Sequence, residues 1–243
     1  MSIIIFTQII IAIILLIFGW AIRKKQAYWL ISGFMTRPKV EQEELIKNGS
    51  PQKTGALFIA TAIGMLLLLP LVFTPFQYAV EIQFAFMLVF LMSGLIYLSK
   101  YEIPQKRKRS YTISISIFVV LIGIIGYTTF LGYGNYDLKI TDNRFEITGM
   151  YGDKWKLEDI KEIKLLEKMP EVTSKQNGFG TSTMAKGAFK VKGYGSSLLF
   201  VRRGYSPILY IEMEKKKIFI NSKDSEVVKA WYDQLVDHDG LPK

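Results

Sequence analysis

The chain reads as an integral membrane part of four transmembrane helices followed by a small, mainly-β barrel closed by a terminal α-helix. Three observations lead there. Apolar residues are gathered into four blocks before residue 132, where a soluble core would spread them along the chain. After Gly132 the apolar period falls to two, the period of strands. At "NSKDS" the chain turns into "EVVKAWYDQLV", in which Val227, Val228, Trp231, Tyr232 and Leu235 recur at helical spacing and form an apolar face.

A helix needs about 20 largely apolar residues to cross about 30 Å of hydrocarbon. Ile3–Ile22, Ala56–Phe76, Ile82–Ser99 and Tyr111–Leu131 meet that requirement, so residues 1–131 are the membrane domain and 132–243 the tail. Tyr28, Trp29, Tyr78, Tyr101 and Tyr111 border the spans, where amphipathic rings favour the headgroup region. The first span is expected to stay in the mature chain. No basic stretch precedes it, no small-x-small site follows it, and Arg23, Lys24 and Lys25 come after it. Pro70 and Pro75 should kink and end the second span. Gly64, Gly94, Gly123 and Gly126 should let helices approach closely. Gln8, Glu81 and Gln83 lie near span ends and read as interfacial polar groups, which disfavours a transport pathway.

Orientation follows from the basic residues. The loop 23–55 carries Arg23, Lys24, Lys25, Arg37, Lys39, Lys47 and Lys53, and the connection before the fourth span carries Lys100, Lys106, Arg107, Lys108 and Arg109. Both should be cytoplasmic, whereas the N-terminus and "TPFQYAV", which carry no basic residue, should lie outside. Four spans that start outside end outside, so the tail is expected to be extracytoplasmic. The second half of the loop reads as a short helix, capped by Thr36, with Pro38 in its first turn, Glu41, Glu43 and Glu44 near its positive end, and Asn48-Gly49 as its stop.

In the tail, "YDLKIT" and "RFEITGMYG" flank a hairpin turn at Asp142 and Asn143. "IKEIKLLE", "GAFKVKGYG", "SLLFVRRG", "ILYIEME" and "KKIFINS" continue the series, about seven strands in all, as a small antiparallel barrel or sandwich. Ser225 or Asp224 can cap the terminal helix. The chain has no cysteine, which excludes disulfides and thiolate chemistry. His238, the one histidine, stands in "DHDGLPK" and reads as an exposed tail residue. Asp137, Asp142 and Asp153 lack the dense spacing of a calcium loop, and "GFGTST" lacks the lysine-serine pair of a phosphate loop. The stretch Glu171–Ala188 reads as a long, flexible inter-strand loop. No catalytic residue, metal or cofactor is expected. Lysines and arginines sit beside apolar blocks or alternate with acids, so nucleic acid is not an expected partner.

Two stretches carry family resemblances. Leu30, Ile31, Ser32, Gly33, Phe34, Thr36, Glu43, Glu44 and Gly55 resemble a family of small bacterial membrane proteins of unknown function, over roughly residues 1–100. "WKLEDIKEIKLLEKMP", "NGFGTSTMAKGAFKVKGYGSSLLFV", "ILYIEMEKKKIFINSKD" and "WYDQL" resemble the bacterial pleckstrin-homology-like (PH-like) family, over roughly residues 133–236. The second resemblance implies a non-enzymatic binding or assembly module. It does not bring the eukaryotic phosphoinositide site, because the turn "TDNR" offers too little loop and basic charge to cradle such a headgroup. The expectation is thus a bacterial, multi-pass protein of the cytoplasmic membrane that presents a PH-like domain at its outer face. Its partner would be another membrane or envelope protein or a peptide. Lys175, Lys186, Arg202 and Arg203 would supply cationic contacts and Phe179 an apolar one. The alternative is a sensor in envelope stress or antimicrobial-peptide immunity; a transporter or an enzyme comes last.

Overall fold

A computed structural model of the chain describes residues 2–237, so His238 lies outside the described residues. The chain divides into two compact units, residues 1–125 and 126–243.

In the first unit, α1 (Ser2–Lys25), α3 (Ser50–Leu68), α4 (Ala79–Leu98) and the beginning of α5 (Pro104–Tyr133) supply four helices long and apolar enough to cross a membrane. Each begins before the apolar block seen in the sequence, because a helix needs backbone hydrogen bonds and not apolar side chains. The α-helical part of α3 stops just before Pro70, which has no N–H to give, and the chain tightens into a 3-10 turn at Leu69–Phe73. α1 and α3 meet at glycines: a Cβ on Gly19 would stand 2.6 Å from the Gly55 carbonyl oxygen, and one on Gly55 2.7 Å from that of Gly19. Gly64 admits the Phe86 ring and Gly94 admits Leu57, as expected of close helix approach. Gly123 and Gly126 correct that expectation, since a Cβ on either would meet nothing within 4 Å. Along α5 only Gly132 is buried, which leaves its isoleucines and valines facing outward.

Between α1 and α3 lies α2 (Lys39–Lys47). Thr36 does not cap it: its hydroxyl donates to the Gly33 carbonyl at 3.0 Å, and the cap position falls to Pro38, whose side chain has no acceptor. Gly49, at φ 72°, takes the left-handed turn between α2 and α3. This segment is fastened to the start of α5. Arg37 reaches both carboxylate oxygens of Glu102, at 2.7 and 2.8 Å, and Lys106 pairs with Glu41 at 2.5 Å. Beneath these pairs Phe34, Leu45 and Ile103 form a buried apolar cluster. The two most basic connections therefore occupy one end of the bundle. Burial works against the Glu102 carboxylate, but the bonds from Arg37 and the Ile103 amide outweigh it and hold its pKa below the ordinary value.

The second unit is built from two sheets. β1 (Leu138–Thr141), β2 (Arg144–Ile147) and β3 (Lys154–Lys156) form an antiparallel sheet, with the first turn at Asp142 and Asn143 as expected. β4 (Ile160–Leu166), β5 (Val172–Gly180), β6 (Met184–Val191), β7 (Gly195–Arg202), β8 (Ile208–Met213) and β9 (Lys217–Ile220) form the other, in the order β4-β8-β9-β7-β6-β5. Among the described residues nine strands replace the expected seven. The two additions, β3 and β5, give little or no apolar alternation to read: β3 has three residues and β5 is mostly exposed. The pairing also departs from a purely antiparallel sheet, because β7 and β9 run parallel.

Chain length forces this larger sheet to curl. β4 and β5 are its opposite edges, yet only residues 167–171 connect them. In a flat sheet, spacings of about 4.8 Å would set them about 24 Å apart, while the connection reaches at most about 22 Å fully stretched. The curl encloses Phe189, Leu199, Val201, Tyr210 and Phe219, with Leu166, Met169 and Val172 from the crossing packed against them. On the other face, Phe200, Leu209, Ile211, Ile218 and Ile220 pack with Phe145 and Ile147 of the smaller sheet and with α6 (Ser225–Val236). Asp224 caps α6 by accepting the Glu226 N–H at 2.9 Å. Val228, Trp231 and Leu235 point inward, whereas Val227, expected on the same stripe, is 36% exposed.

Trp231 is the large side chain through which α6 enters this core. Trp231→Ala in a fragment of residues 133–243 should destabilise it by about 3–5 kcal/mol, read as a drop in the denaturation midpoint by circular dichroism. An unchanged midpoint would show that α6 adds nothing to the core.

Candidate functional site

All five expected contact residues fall on the β5–β6 hairpin or at the end of β7. The stretch Glu171–Ala188 is not a flexible loop. It comprises β5, a tight turn at Thr181–Thr183 and the start of β6. Thr181 holds the turn: its N–H donates to the Met184 carbonyl at 2.8 Å, and its hydroxyl accepts from the N–H groups of Thr183 and Met184 at 3.3 and 3.2 Å. Gly187, at φ 107°, pairs with Gly178, and a Cβ on it would stand 2.6 Å from the Asn177 carbonyl oxygen. Only glycine fits that close, left-handed position.

The hairpin grips the residues where α5 gives way to β1. A Cβ on Gly132 would lie 2.3 Å from the Phe179 ring, so glycine is what lets the ring lie against the helix. That ring meets Tyr133 edge-on, with centroids 5.2 Å apart, and the Tyr133 hydroxyl donates to the Thr181 hydroxyl at 3.1 Å. Lys186 is fully buried and donates to the Gly134 carbonyl, one residue beyond the helix. A cation there also suits the negative end of the helix dipole. The Lys186 ammonium lies 5.0 Å from the centre of the Tyr136 ring, and the Arg202 guanidinium lies 5.5 Å from it. Arg202 also donates to the Asn135 side-chain oxygen at 3.4 Å. Asn221, fully buried, accepts the Arg202 N–H at 2.7 Å and donates to the carbonyls of Arg202 and Tyr205, both at 2.9 Å.

Three of the five residues thus converge on 132–136, and two do not. Phe179, Lys186 and Arg202 are spent on the grip, which removes Lys186 from the set of surface contacts. Lys175 and Arg203 are exposed. Sequence reading passed over Tyr133, Tyr136 and Asn221. The available signal was Lys186 in "MAKGAFKV", set between small and apolar residues that elsewhere mark a buried strand.

Burial, and then the charge of Arg202, push the Lys186 pKa down to about 8, while burial raises that of the Tyr136 hydroxyl.

The seam at Tyr136 is also where a family boundary falls, for residues 136–236 match the family model of the bacterial PH domain. The second unit carries a bacterial PH domain. Residues 9–102 match the model of a domain of unknown function, DUF3784. Both expected resemblances hold, and the whole is a multi-pass membrane protein with a PH domain behind its last span. No curated protein and no solved structure matches the chain. The residues that grip α5 straddle the start of the PH domain: Gly132, Tyr133 and Gly134 precede it, and Phe179, Lys186 and Arg202 belong to it.

The depressed Lys186 pKa sets a pH window. From about pH 8 to the ordinary lysine value of 10.5 the unfolded chain binds the proton that the folded domain has lost, so stability should rise with pH across that window. Below it the buried charge weakens the fold. Urea denaturation of the 133–243 fragment at pH 7 and pH 9 should show the rise, and Lys186→Met, which keeps the apolar stem, should flatten it. An equal slope in both proteins would mean that Lys186 does not carry the effect.

Proposed function

We propose that the chain is a non-enzymatic membrane protein that presents its PH domain at the outer face of the bacterial cytoplasmic membrane, where β5 contacts a partner protein or peptide. The observation behind this reading is that Thr173, Ser174, Lys175, Gln176 and Asn177 are all exposed in succession. A strand that projects both faces into water contributes little to a core, so its length is not explained by folding. Register shifts at Val172/Ser174 and Lys175/Asn177 bend it, which guards the edge against indiscriminate strand pairing and leaves recognition to side chains. Lys175, whose side chain lies along Gly180, and Arg203, whose N–H donates to the Thr183 carbonyl beside the turn, make the surface cationic and suit an anionic or mixed partner. The base of the same hairpin holds the end of α5. Displacement of β5 by a partner would therefore be felt at the end of the fourth span.

The outer-face placement is supported by the charge asymmetry of the connections and by the pairing of the two basic connections at one end of the bundle through Arg37–Glu102 and Lys106–Glu41. Cysteine labelling tests it directly, since the chain has no cysteine of its own. Ser174→Cys should react with a membrane-impermeant maleimide in intact cells, and Asn48→Cys only after permeabilisation; the reverse pattern would overturn the orientation. For the partner surface, a photo-crosslinking residue at position 175 should yield a discrete adduct in intact cells that Arg203→Glu weakens. The same group at Lys229, exposed on α6, should yield none. Equal adducts at both positions would remove β5 from the contact.

A further inference from the structure

A second feature lies in the membrane unit. At the end that carries the basic connections, α3 and α4 leave a groove of about 290 Å³ lined by Lys53, Ala56, Leu57, Ala60, Gly94, Tyr97 and Leu98. Its walls are small or apolar: Ala56 and Ala60 put little bulk into it, and the Leu57 side chain, packed over Gly94, forms its apolar wall. Its mouth is different. The Lys53 ammonium lies 4.5 Å from the centre of the Tyr101 ring, and the Lys100 ammonium lies 3.8 and 5.0 Å from those of Tyr97 and Tyr101. Lys100 also donates to the Tyr97 hydroxyl at 2.5 Å.

Charge balance distinguishes these lysines from their neighbours. Arg37 and Lys106, on the same end of the bundle, each pair with a carboxylate. Among the described residues no carboxylate lies within 4.0 Å of the ammonium of Lys53 or Lys100. Two uncompensated cations, steadied by aromatic faces, stand over an apolar slot between membrane-spanning helices. An acyl chain satisfies the slot and a headgroup anion satisfies the mouth. A zwitterionic lipid brings its own cation to a mouth that already holds two, and free phosphate leaves the slot unfilled.

We propose that this groove binds an anionic phospholipid, its phosphate between Lys53 and Lys100 and one acyl chain along Ala56, Leu57 and Ala60. Each basic residue near such a headgroup adds to binding, so two together amount to a preference of about tenfold or more over a neutral headgroup. The site is independent of β5 and of the orientation proposed for the PH domain.

The test uses the full chain in detergent micelles, with phosphatidylglycerol or phosphatidylcholine of identical acyl chains added and retained lipid counted by native mass spectrometry. Phosphatidylglycerol should be retained about tenfold more strongly, and Lys53→Gln with Lys100→Gln should abolish the difference. Ala60→Phe fills the exposed slot and leaves both lysines in place; it should lower phosphatidylglycerol retention to the same level. Inorganic phosphate at equal concentration should not displace the lipid. Equal retention of the two lipids by the unchanged chain would overturn the site. So would a double glutamine variant that keeps the preference, an Ala60→Phe variant that binds normally, or displacement by inorganic phosphate, because each would reduce the effect to general surface charge. If the double variant loses its helical circular dichroism, Ala60→Phe and the lipid comparison decide the matter.

Discussion

The bond from the Lys186 ammonium to the Gly134 carbonyl ties the end of a membrane helix to a sheet, and the rest of the second unit is arranged so that this bond can form. A buried ammonium is costly unless its donors are met. Here it meets a carbonyl freed by the end of α5 and the face of Tyr136. For Lys186 to reach that carbonyl, β6 must pass close to the chain between α5 and β1, which requires the close crossing at Gly178 and Gly187 and the bare surface of Gly132 under Phe179. Substituting any of these glycines would move the hairpin and leave the charge without its acceptor. Asn221 then fixes the far side by joining Arg202, Tyr205 and Tyr136.

The two units solve the burial problem differently. In the PH domain, β7, β8 and β9 are apolar on both sides because the curled sheet has a core on each face: Ile218 and Ile220 turn to one, Phe219 to the other. In the membrane unit, buried packing comes in small patches: the glycine crossings, the cluster of Ala12, Ala62 and Met65, and that of Phe34, Leu45 and Ile103. The outward isoleucines of α5 need no protein partner where lipid is the solvent. Polar recognition is accordingly placed at the ends of the helices, where Arg37, Glu102, Lys106 and Glu41 cross-link connections that are far apart in sequence.

The sequence by itself determined what depends on local pattern. Apolar blocks of sufficient length give the four spans, alternation gives the strands that pack on a core, and helical spacing around Trp231 gives α6. What it did not reveal follows from contacts distant in sequence. β5 has no alternation because an edge strand with both faces in water selects no apolar residue, so only its pairing with β6 makes it a strand. Thr36 is a sound cap by composition but is already engaged by Gly33. Lys175, Lys186, Arg202 and Arg203 are equivalent as cations in the sequence. Tertiary structure separates them, because the fold brings Gly134 and Tyr136 beside Lys186 and Arg202 and nothing of the kind beside Lys175 and Arg203. Whether a charge serves the fold or faces a partner is decided by what the folded chain places next to it, and no local pattern encodes that.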